Sequence, residues 1–397
     1  MSILYTGNDT DGVSANANGQ FWIVQGNETV SNAAGVGFNF GTFNNVTLVV
    51  EGTITSSSDA IRGTGGDYNT IIVKKDASVI GQSDGMELTG DSFFVVNHGL
   101  IKSPNDNGLE FLNDGGSLSN FGKIVGSFSG LYGSGDSGAY YNDGIIKATT
   151  FGAYLSSAGG GMHLENDGKM IGDVGVYLTG GGTHQISNNG VIEGRSGTAI
   201  QGDSGVQNIY NSGDIIGDVE LGAGNDYYNG RGGSTVDGFV FGGDNSDSLR
   251  GGKANDKLKG DAGSDSLFGG KGNDKLWGGT ESDYFEGGKG NDILRGEDGN
   301  DWIAGQQGND KMFGGAGADD FFFNKSNEGN DKIMDWEDGS DQIWLQYGAF
   351  NQTRFLNRGI TTDGANIEID LAYAGAEGII TIVGAAGSIG ADDFVFI

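Results

Sequence analysis

Apolar residues recur at a fixed spacing of nine between residues 242 and 322. Each nine-residue unit carries a large apolar side chain at its eighth position, glycine at its first and aspartate at its sixth. One apolar residue flanked by polar ones is typical of a very short strand with a single buried side chain. Two such units make one coil of a flattened solenoid, in which units i and i+2 stack about 4.8 Å apart. The pattern therefore predicts a parallel β-roll with two strands in each coil.

A longer pattern occupies residues 46–220. The anchor N-x-G-x-[I/M] recurs every 22–24 residues, from Asn97-Gly99-Ile101 to Asn211-Gly213-Ile215. Apolar columns lie two residues before each asparagine and about ten to fourteen residues after it, with the period-2 alternation of strands. Two or three short strands per coil, with glycine at the corners, predict a parallel β-helix. The asparagines should stack as an amide ladder at one turn.

We therefore predict an all-β protein, in which a parallel β-helix of 22–24 residues per coil continues into the β-roll and ends in a β-rich cap. The expected segments are an N-terminal cap at 1–45, the β-helix at 46–220, the β-roll at 221–322 and the C-terminal cap at 323–397. Residues 221–241 join the two repeats. Leu221 to Asn229 already reads as a nonad with Asp226 at position six, and twelve further residues shift the phase by three before Gly242.

The chemistry of the β-roll follows from its stacking. Aspartate lies over aspartate on each edge, and carboxylates that close repel one another unless cations lie between them. With no cysteine and only three histidines in the chain, carboxylates and turn carbonyls are the available ligands. A hard cation that takes six to eight oxygens at flexible geometry is Ca²⁺ rather than Zn²⁺ or Mg²⁺. The predicted ligands are Asp226, Asp247, Asp256, Asp265, Asp274, Asp283, Asp292, Asp301, Asp310 and Asp319, with Gly242, Gly251, Gly260, Gly269, Gly278, Gly287, Gly296, Gly305 and Gly314.

The nonads, such as GGKGNDKLW and GGKGNDILR, resemble the RTX repeat G-G-x-G-x-D-x-U-x from Gly242 to Phe322. The resemblance implies a calcium-binding parallel β-roll in a protein exported by type I secretion machinery. Several units depart from the motif at the second or fourth glycine. The replacements are Asp261, Glu297 and Gln306 at position two, and Asn245, Ala254 and Glu281 at position four. The glycines are expected to allow tight turns with positive φ, which a β-carbon would oppose. Asparagine tolerates such a left-handed turn, so Ala254 and Glu281 weaken the match most.

Composition narrows the possible partners. The chain has 397 residues, 79 glycines and no cysteine, so metal rather than disulfides would staple a secreted form. A formal net charge of −31, from 22 Lys+Arg against 53 Asp+Glu, argues against nucleic-acid binding. No apolar run reaches 18 residues, which predicts no membrane span. The first 30 residues lack the basic and apolar regions of a cleavable secretion signal.

The C-terminal segment carries two further features. Asn330 to Leu345 resembles the strand-rich cap that follows the nonads in RTX proteins of the serralysin type, and its aspartates either hold one more Ca²⁺ or face solvent. These are Asp331, Asp335, Asp338 and Asp341. An acidic pair before the apolar end Phe394 to Ile397 resembles an uncleaved type I secretion signal, although an edge strand would have the same pattern. We therefore expect an extracellular protein, secreted or bound to the cell surface.

Two functions fit this architecture. β-Helices of this coil length often carry polysaccharide lyases or C5-epimerases acting on uronate polymers, but such sites usually need long loops and basic residues. The coils here leave no room for long insertions, only eight Lys/Arg fall in residues 1–220, and neither H-E-x-x-H nor G-x-S-x-G occurs. We therefore favour a non-enzymatic, self-assembling cell-surface protein, such as an S-layer-like lattice, a matrix protein or an adhesin.

One set of basic residues suggests a further partner. Lys102, Lys123, Lys147 and Lys169 follow successive asparagine anchors at outward-facing positions. Such a stripe could hold an anionic cell-surface glycan. Alternatively, the lysines discourage association of the sheet with other sheets.

Overall fold

A computed structural model describes residues 2–5, 12–112, 114–324, 329–337, 339–346, 352–374, 377–385 and 389–397. The chain divides into two compact units, Met1–Glu220 and Leu221–Ile397. Nearly all regular structure is strand, which confirms the all-β class. In the part of the chain described here, no helix has the length and apolar character needed to cross a membrane.

The first unit is a parallel β-helix with three short strands in each complete coil. Each strand pairs in parallel with the equivalent strand of the next coil, so that Phe94 lies beside Ser117 and Leu100 beside Lys123. Strands of the first set are Ser2–Tyr5, Phe21–Val24, Thr47–Val50, Thr70–Val73, Phe94–Asn97, Ser117–Asn120, Ala139–Asn142, His163–Asn166, Thr183–Asn188 and Val206–Asn211. Strands of the second set are Thr29–Asn32, Thr53–Ser56, Ser78–Ile80, Leu100–Lys102, Lys123–Val125, Ile145–Lys147, Lys169–Gly172, Val191–Gln201 and Asp214–Ala223. Strands of the third set are Val13–Ser14, Phe38–Asn39, Ile61–Gly63, Met86–Leu88, Leu109–Phe111, Ser129–Ser134, Phe151–Ser156 and Val174–Thr179.

The asparagine anchors form the predicted amide ladder. Their side chains are fully buried, and each Nδ2 donates to the Oδ1 of the asparagine one coil later at 2.7–2.8 Å. The rungs are Asn97, Asn120, Asn142, Asn166, Asn188 and Asn211, spaced 22–24 residues apart. Asn97 Oδ1 also accepts from the backbone N–H of Gly99, which closes the turn and explains the N-x-G spacing.

Residues predicted as an N-terminal cap contribute strands to the same coils. Phe21–Val24 pairs in parallel with Thr47–Val50, and Phe38–Asn39 pairs with Ile61–Gly63. The sequence of this segment has no clear repeat, but the structure shows that the segment forms coils. Whether this first part of the solenoid acts as a cap stays a prediction.

The second unit begins as a β-roll with two strands in each 18-residue coil. All nine apolar residues at position eight are completely buried between its two sheets, from Leu249 to Phe321. Strands of one sheet are Tyr227–Gly230, Ser248–Gly252, Ser266–Lys271, Tyr284–Lys289, Trp302–Gln307, Asp320–Asn324, Gln342–Gln346 and Phe394–Phe396. Strands of the other are Thr235–Val236, Val240–Asp244, Lys257–Ala262, Lys275–Thr280, Ile293–Asp298, Lys311–Ala316 and Gly329–Ile333.

Beyond the last nonad the chain stays rich in strands. Gly329–Ile333 pairs in parallel with Gly378–Ile382, which begins an antiparallel meander with Asn366–Asp370 and Ile360–Asp363. The only α-helix among the described residues is Gln352–Arg358, and short 3₁₀ turns span Leu371–Ala374 and Ala391–Asp393. The final residues form the strand Phe394–Phe396, which pairs with Gln342–Gln346. Because Phe355 packs against Phe394 and Phe396 at 5.7 and 5.9 Å between ring centroids, the helix covers this end of the sheet.

Candidate metal centre

The turn aspartates of the β-roll form two hydrogen-bonded ladders. Oδ1 of each aspartate accepts from the backbone N–H of the aspartate one coil earlier, as in the 2.7 Å bond from Asp247 to Asp265. The first ladder is Asp226, Asp247, Asp265, Asp283, Asp301, Asp319 and Asp341. The second ladder is Asp256, Asp274, Asp292, Asp310 and Asp331. The structure thus stacks all ten predicted aspartates on two edges. The predicted phase shift of three residues appears as a spacing of 21 residues, rather than 18, between Asp226 and Asp247.

The second carboxylate oxygen of each nonad aspartate is buried and lacks a donor. In Asp247 to Asp319, nine aspartates are 1–7% exposed, and Oδ2 of each has no hydrogen-bond partner in the structure. Burial raises the pKa of all nine, to about 6 for Asp292 and Asp301 and to about 8 for Asp247 and Asp283. A buried charged oxygen without a donor is costly. These oxygens therefore require either a proton or a cation.

The invariant glycines at position one make room for these oxygens. A β-carbon added at any of the nine would lie closer than 3.0 Å to Oδ2 of the aspartate five residues later. In the first seven units it would also lie 2.3–2.8 Å from the carbonyl oxygen of the glycine one coil later, such as Gly260 above Gly242. Oδ2 and a carbonyl oxygen thus converge on one small space, and Oδ2 has no donor. Such an arrangement suits a cation.

This geometry corrects the explanation expected from the sequence. A tight turn with positive φ was the predicted reason for glycine, yet none of the nine position-one glycines has positive φ. Left-handed residues instead occupy position two, where Asp261, Glu297 and Gln306 have φ of 76°, 77° and 68°, and most units have another at position four. At position four, Glu281 keeps the left-handed turn with φ 71°, whereas Ala254 does not adopt it. Space for the carboxylate, rather than backbone freedom, therefore explains glycine at position one.

The C-terminal aspartates divide between the two expected environments. Asp331 and Asp341 end the two ladders and are buried. Asp335 is exposed and accepts a 3.0 Å hydrogen bond from the backbone N–H of Gly314. Asp338 lies outside the described residues. A further Ca²⁺ at this end stays a prediction.

The oxygen donors fit calcium better than a transition metal. Within the described ranges, no group of three or more His, Cys, Asp or Glu side chains gathers where one metal ion could be held. A rung can therefore offer only one or two carboxylates, and backbone carbonyls such as that of Gly260 would complete the shell. Ca²⁺ accepts mixed carboxylate and carbonyl oxygen ligands at flexible geometry. The residues present thus fit Ca²⁺.

Comparison with known families decides what the repeat is. A model of the RTX calcium-binding nonapeptide repeat matches in four copies, at residues 241–276, 277–312, 286–321 and 295–333. Residues 241–333 are RTX calcium-binding repeats. The RTX segment contains nine of the ten predicted aspartates and also Asp331.

Whole-chain comparisons add little beyond the RTX segment. No curated protein matches the chain. Twenty chains of solved structures match, among them the extracellular lipase LipA from Serratia marcescens at 15% identity and a TM-score of 0.21. That match covers 47% of this chain and 45% of the lipase chain, so this chain spans less than half the length of the lipase.

A second cluster of ionisable residues, in the β-helix, escaped the sequence interpretation. Asp59, Asp84, Glu87 and Glu110 interact electrostatically with one another, and Arg62 donates to Glu87 at 2.9 Å and also to Asp59. Burial and neighbouring carboxylates raise the pKa of Asp84 to about 7 and that of Glu110 to about 8. The cluster arises because Arg62, Glu87 and Glu110 face outward on three adjacent strands. Aligning the weak early coils in register would have revealed it.

The predicted lysine stripe is a zigzag rather than one column. Lys102 and Lys147 flank Val125 in one outward column, whereas Lys123 and Lys169 belong to a neighbouring column. Lys169 Nζ also pairs with Glu193 at 2.8 Å. Lysines of the same column are therefore separated by a complete coil.

Proposed function

We propose that this protein is a secreted, calcium-binding structural protein of the cell surface that folds when it binds Ca²⁺ outside the cell. The nine buried, donor-less Oδ2 atoms are the observation that supports this proposal most strongly. RTX repeats are typical of secreted extracellular proteins, and proteins that carry them are exported by type I systems. The proposed ligands are the turn aspartates together with the carbonyls of the position-one glycines.

Neighbouring rungs of each ladder lie close enough for their carboxylates to repel one another. Two carboxylates about 4.8 Å apart repel by about 1 kcal/mol in water and by about 3 kcal/mol at an effective dielectric constant of 20. The repulsion acts along both ladders and opposes folding where Ca²⁺ is scarce, as in cytosol. Millimolar extracellular Ca²⁺ matches the weak affinity of extracellular modules. Binding free energy then becomes folding free energy.

Circular dichroism of the full chain tests this coupling. We expect weak β-sheet signal in EGTA, a strong increase with Ca²⁺ and a much smaller one with Mg²⁺, which prefers rigid octahedral sites. The step should require millimolar rather than nanomolar Ca²⁺. Identical spectra in EGTA and excess Ca²⁺ would refute calcium-dependent folding.

For the folded protein we propose a structural role, as a subunit of an S-layer-like lattice, a matrix protein or an adhesin. The supporting observation is a long, regular set of parallel strands with outward-facing side chains in every coil. Negative-stain microscopy of purified protein distinguishes these roles. Sheets or rows that form only with Ca²⁺ support a lattice, whereas particles that stay dispersed with Ca²⁺ leave the matrix and adhesin roles.

An enzyme acting on uronate polymers is the second candidate. The carboxyl cluster around Arg62 favours it, because a carboxyl group with a pKa near 7 can exchange protons at neutral pH. However, the same cluster presents several carboxylates and one arginine, which would repel an anionic polymer. Incubation with alginate or pectate tests this candidate. Product release by the wild type that is lost in Glu110→Gln but retained in the exposed-site control Asp143→Asn would establish an enzyme.

A further inference from the structure

Successive RTX turns alternate between the two edges of the roll, and the edges differ in charge. Five turns, which we name the acidic edge, lie along the first ladder: 242–247, 260–265, 278–283, 296–301 and 314–319. Four turns, which we name the basic edge, lie along the second ladder: 251–256, 269–274, 287–292 and 305–310. Apart from the ladder aspartates, the basic edge contains no acidic residue and the acidic edge contains no lysine or arginine.

The basic edge carries a column of exposed lysines. Lys253, Lys271 and Lys289 occupy position three of successive coils, with Lys271 directly beside Lys289 in the register. They line a groove of about 440 Å³ together with Gly252, Gly270 and Gly288, which leave its floor without side chains. None of the three makes an ion pair within the part of the chain that the structure describes. Like charges at neighbouring positions of a sheet are destabilising, so the column calls for an anionic partner.

The strands that leave each edge show the same division. Those leaving the basic edge begin with Lys257, Lys275, Ile293 and Lys311. Those leaving the acidic edge begin with Ser248, Ser266, Tyr284, Trp302 and Asp320. The positive charge therefore extends from the turns of the basic edge into the strands that leave them.

The acidic edge provides the complementary charges. Asp244, Glu281, Glu297 and Asp298 are exposed on its turns. Asp261, also on this edge, pairs internally with Lys259 at 2.7 Å. Because both edges belong to one repeat, their charges recur with the same rise per coil. A straight translation of one copy can therefore bring several opposite charges together at once.

We propose that the basic edge of one copy docks against the acidic edge of a second copy. The contact is heterologous, so each copy keeps one edge open and rows grow without closing. Four basic turns span roughly 15–20 Å, which is short for a standard interface. A single contact is therefore weak, and stable assembly needs repetition along a row or sheet. This inference rests on the proposed lattice function and assigns the surfaces that would build it.

Calcium would favour this contact as well as the fold. The basic edge combines three exposed lysines with the carboxylates of Asp256, Asp274, Asp292 and Asp310. Cations on the second ladder offset those carboxylates and leave the lysines as the dominant charge. The acidic edge keeps its exposed carboxylates, which lie outside the ladder. The two edges thus become most complementary in the calcium-loaded protein.

Charge reversal of each edge tests the contact in the full chain with Ca²⁺. One variant carries Lys253→Glu, Lys271→Glu and Lys289→Glu, and the other carries Asp244→Lys, Glu281→Lys and Glu297→Lys. Analytical ultracentrifugation over a concentration series measures assembly, and circular dichroism verifies that each variant folds with Ca²⁺. We expect each variant alone to need at least about tenfold more protein to assemble, and an equimolar mixture to recover wild-type assembly.

A matched control separates edge contacts from net charge. Lys102→Glu, Lys123→Glu and Lys147→Glu make the same charge change on the β-helix, and we expect wild-type assembly from this variant. Equal loss in the control, or no recovery in the mixture, overturns the edge contact. If Lys253, Lys271 and Lys289 are needed to bind alginate oligomers but not for assembly, the groove binds an anionic glycan instead. Should either reversed variant not fold, neutral versions replace it, with Lys→Gln on the basic edge and Asp244→Asn, Glu281→Gln and Glu297→Gln on the acidic edge.

The outcome also separates this inference from the proposed function. Wild-type protein that stays monomeric with Ca²⁺ overturns both the lattice and the edge contact. Wild-type protein that assembles while both reversed variants assemble equally well overturns the edge contact alone. In either case the calcium-dependent folding test remains independent.

Discussion

Replacing the position-one glycine Gly278 by alanine probes the candidate calcium site without changing any charge. Its added β-carbon would lie 2.8 Å from the carbonyl oxygen of Gly296 and closer still to Oδ2 of Asp283. Gly296 cannot move away easily, because its strand Ile293–Asp298 is paired on both sides. The φ of Gly278 is not positive, so the backbone itself tolerates alanine. Any effect must therefore come from crowding of the two oxygens.

The expected magnitude combines two opposing terms. Overpacking of a close-packed site costs about 1–3 kcal/mol. Glycine-to-alanine replacement recovers about 0.4–1 kcal/mol by restricting the unfolded chain. A net loss of about 1–2 kcal/mol remains, and it destabilises the Ca²⁺-bound state, in which both oxygens face the ion. Since about 1.4 kcal/mol corresponds to a factor of ten in affinity, the Ca²⁺ needed at this site should rise roughly five- to thirtyfold.

Calcium titration followed by circular dichroism, with isothermal calorimetry of Ca²⁺ binding by the full chain, measures the change. Gly233→Ala is the matched control, because its β-carbon would meet no atom within 4 Å and its φ is also not positive. We expect the control to titrate like the wild type or slightly more easily. If Gly278→Ala shifts the Ca²⁺ midpoint no more than Gly233→Ala does, the glycine does not make room for a ligand.

Three other results are expected. Asp283→Asn keeps an acceptor for the N–H of Asp265 but loses the charge, so its Ca²⁺ midpoint should rise about tenfold by calorimetry, whereas exposed Asp244→Asn should not change it. In EGTA, the folded state binds more protons than the unfolded state, because the pKa values of the buried aspartates are raised. The stability measured by circular dichroism should therefore be highest below pH 4 and decrease as the pH rises through 6–8. A flat profile would contradict this. With Ca²⁺ the trend should reverse, because binding requires carboxylates. In the β-helix, Asn142→Ala removes two buried 2.7 Å hydrogen bonds and should lower the free energy of unfolding in urea by about 2–4 kcal/mol, while exposed Asp143→Ala should change it little.

Much of the fold could be predicted because each coil repeats the same local demands. The nine-residue spacing of Leu249, Leu258 and their successors fixes one large buried residue in each nonad, and all nine are buried. The N-x-G anchors placed the amide ladder correctly, since a buried asparagine can satisfy its donor and acceptor on its own neighbours. Stacking of Asp247 over Asp265 followed from the same periodicity.

Other features depended on contacts that one period does not reveal. The reason for glycine at position one lies in a carboxylate five residues away and a carbonyl one coil away, as at Gly278. The cluster of Arg62, Glu87 and Glu110 needed the register of coils whose anchors are weak in the sequence. Residues 1–45 lack a clear repeat although they supply paired strands. In each case the register between coils, rather than the local sequence pattern, decides which residues come into contact.

The charge division of the roll shows why the choice of period matters. When the chain is divided every nine residues, GGKGND and GGTESD are simply two variants of one motif. The structural coil is 18 residues long, so units of odd and even number lie on opposite edges. The charged residues at position three then fall into two groups. Lys253, Lys271 and Lys289 lie on one edge, and Asp244 and Asp298 lie on the other. A repeat that only needed to bind calcium would have no reason to sort its exposed charges by coil edge. Charges sorted in this way are expected if each edge meets a different surface, which is the condition that rows of identical copies impose.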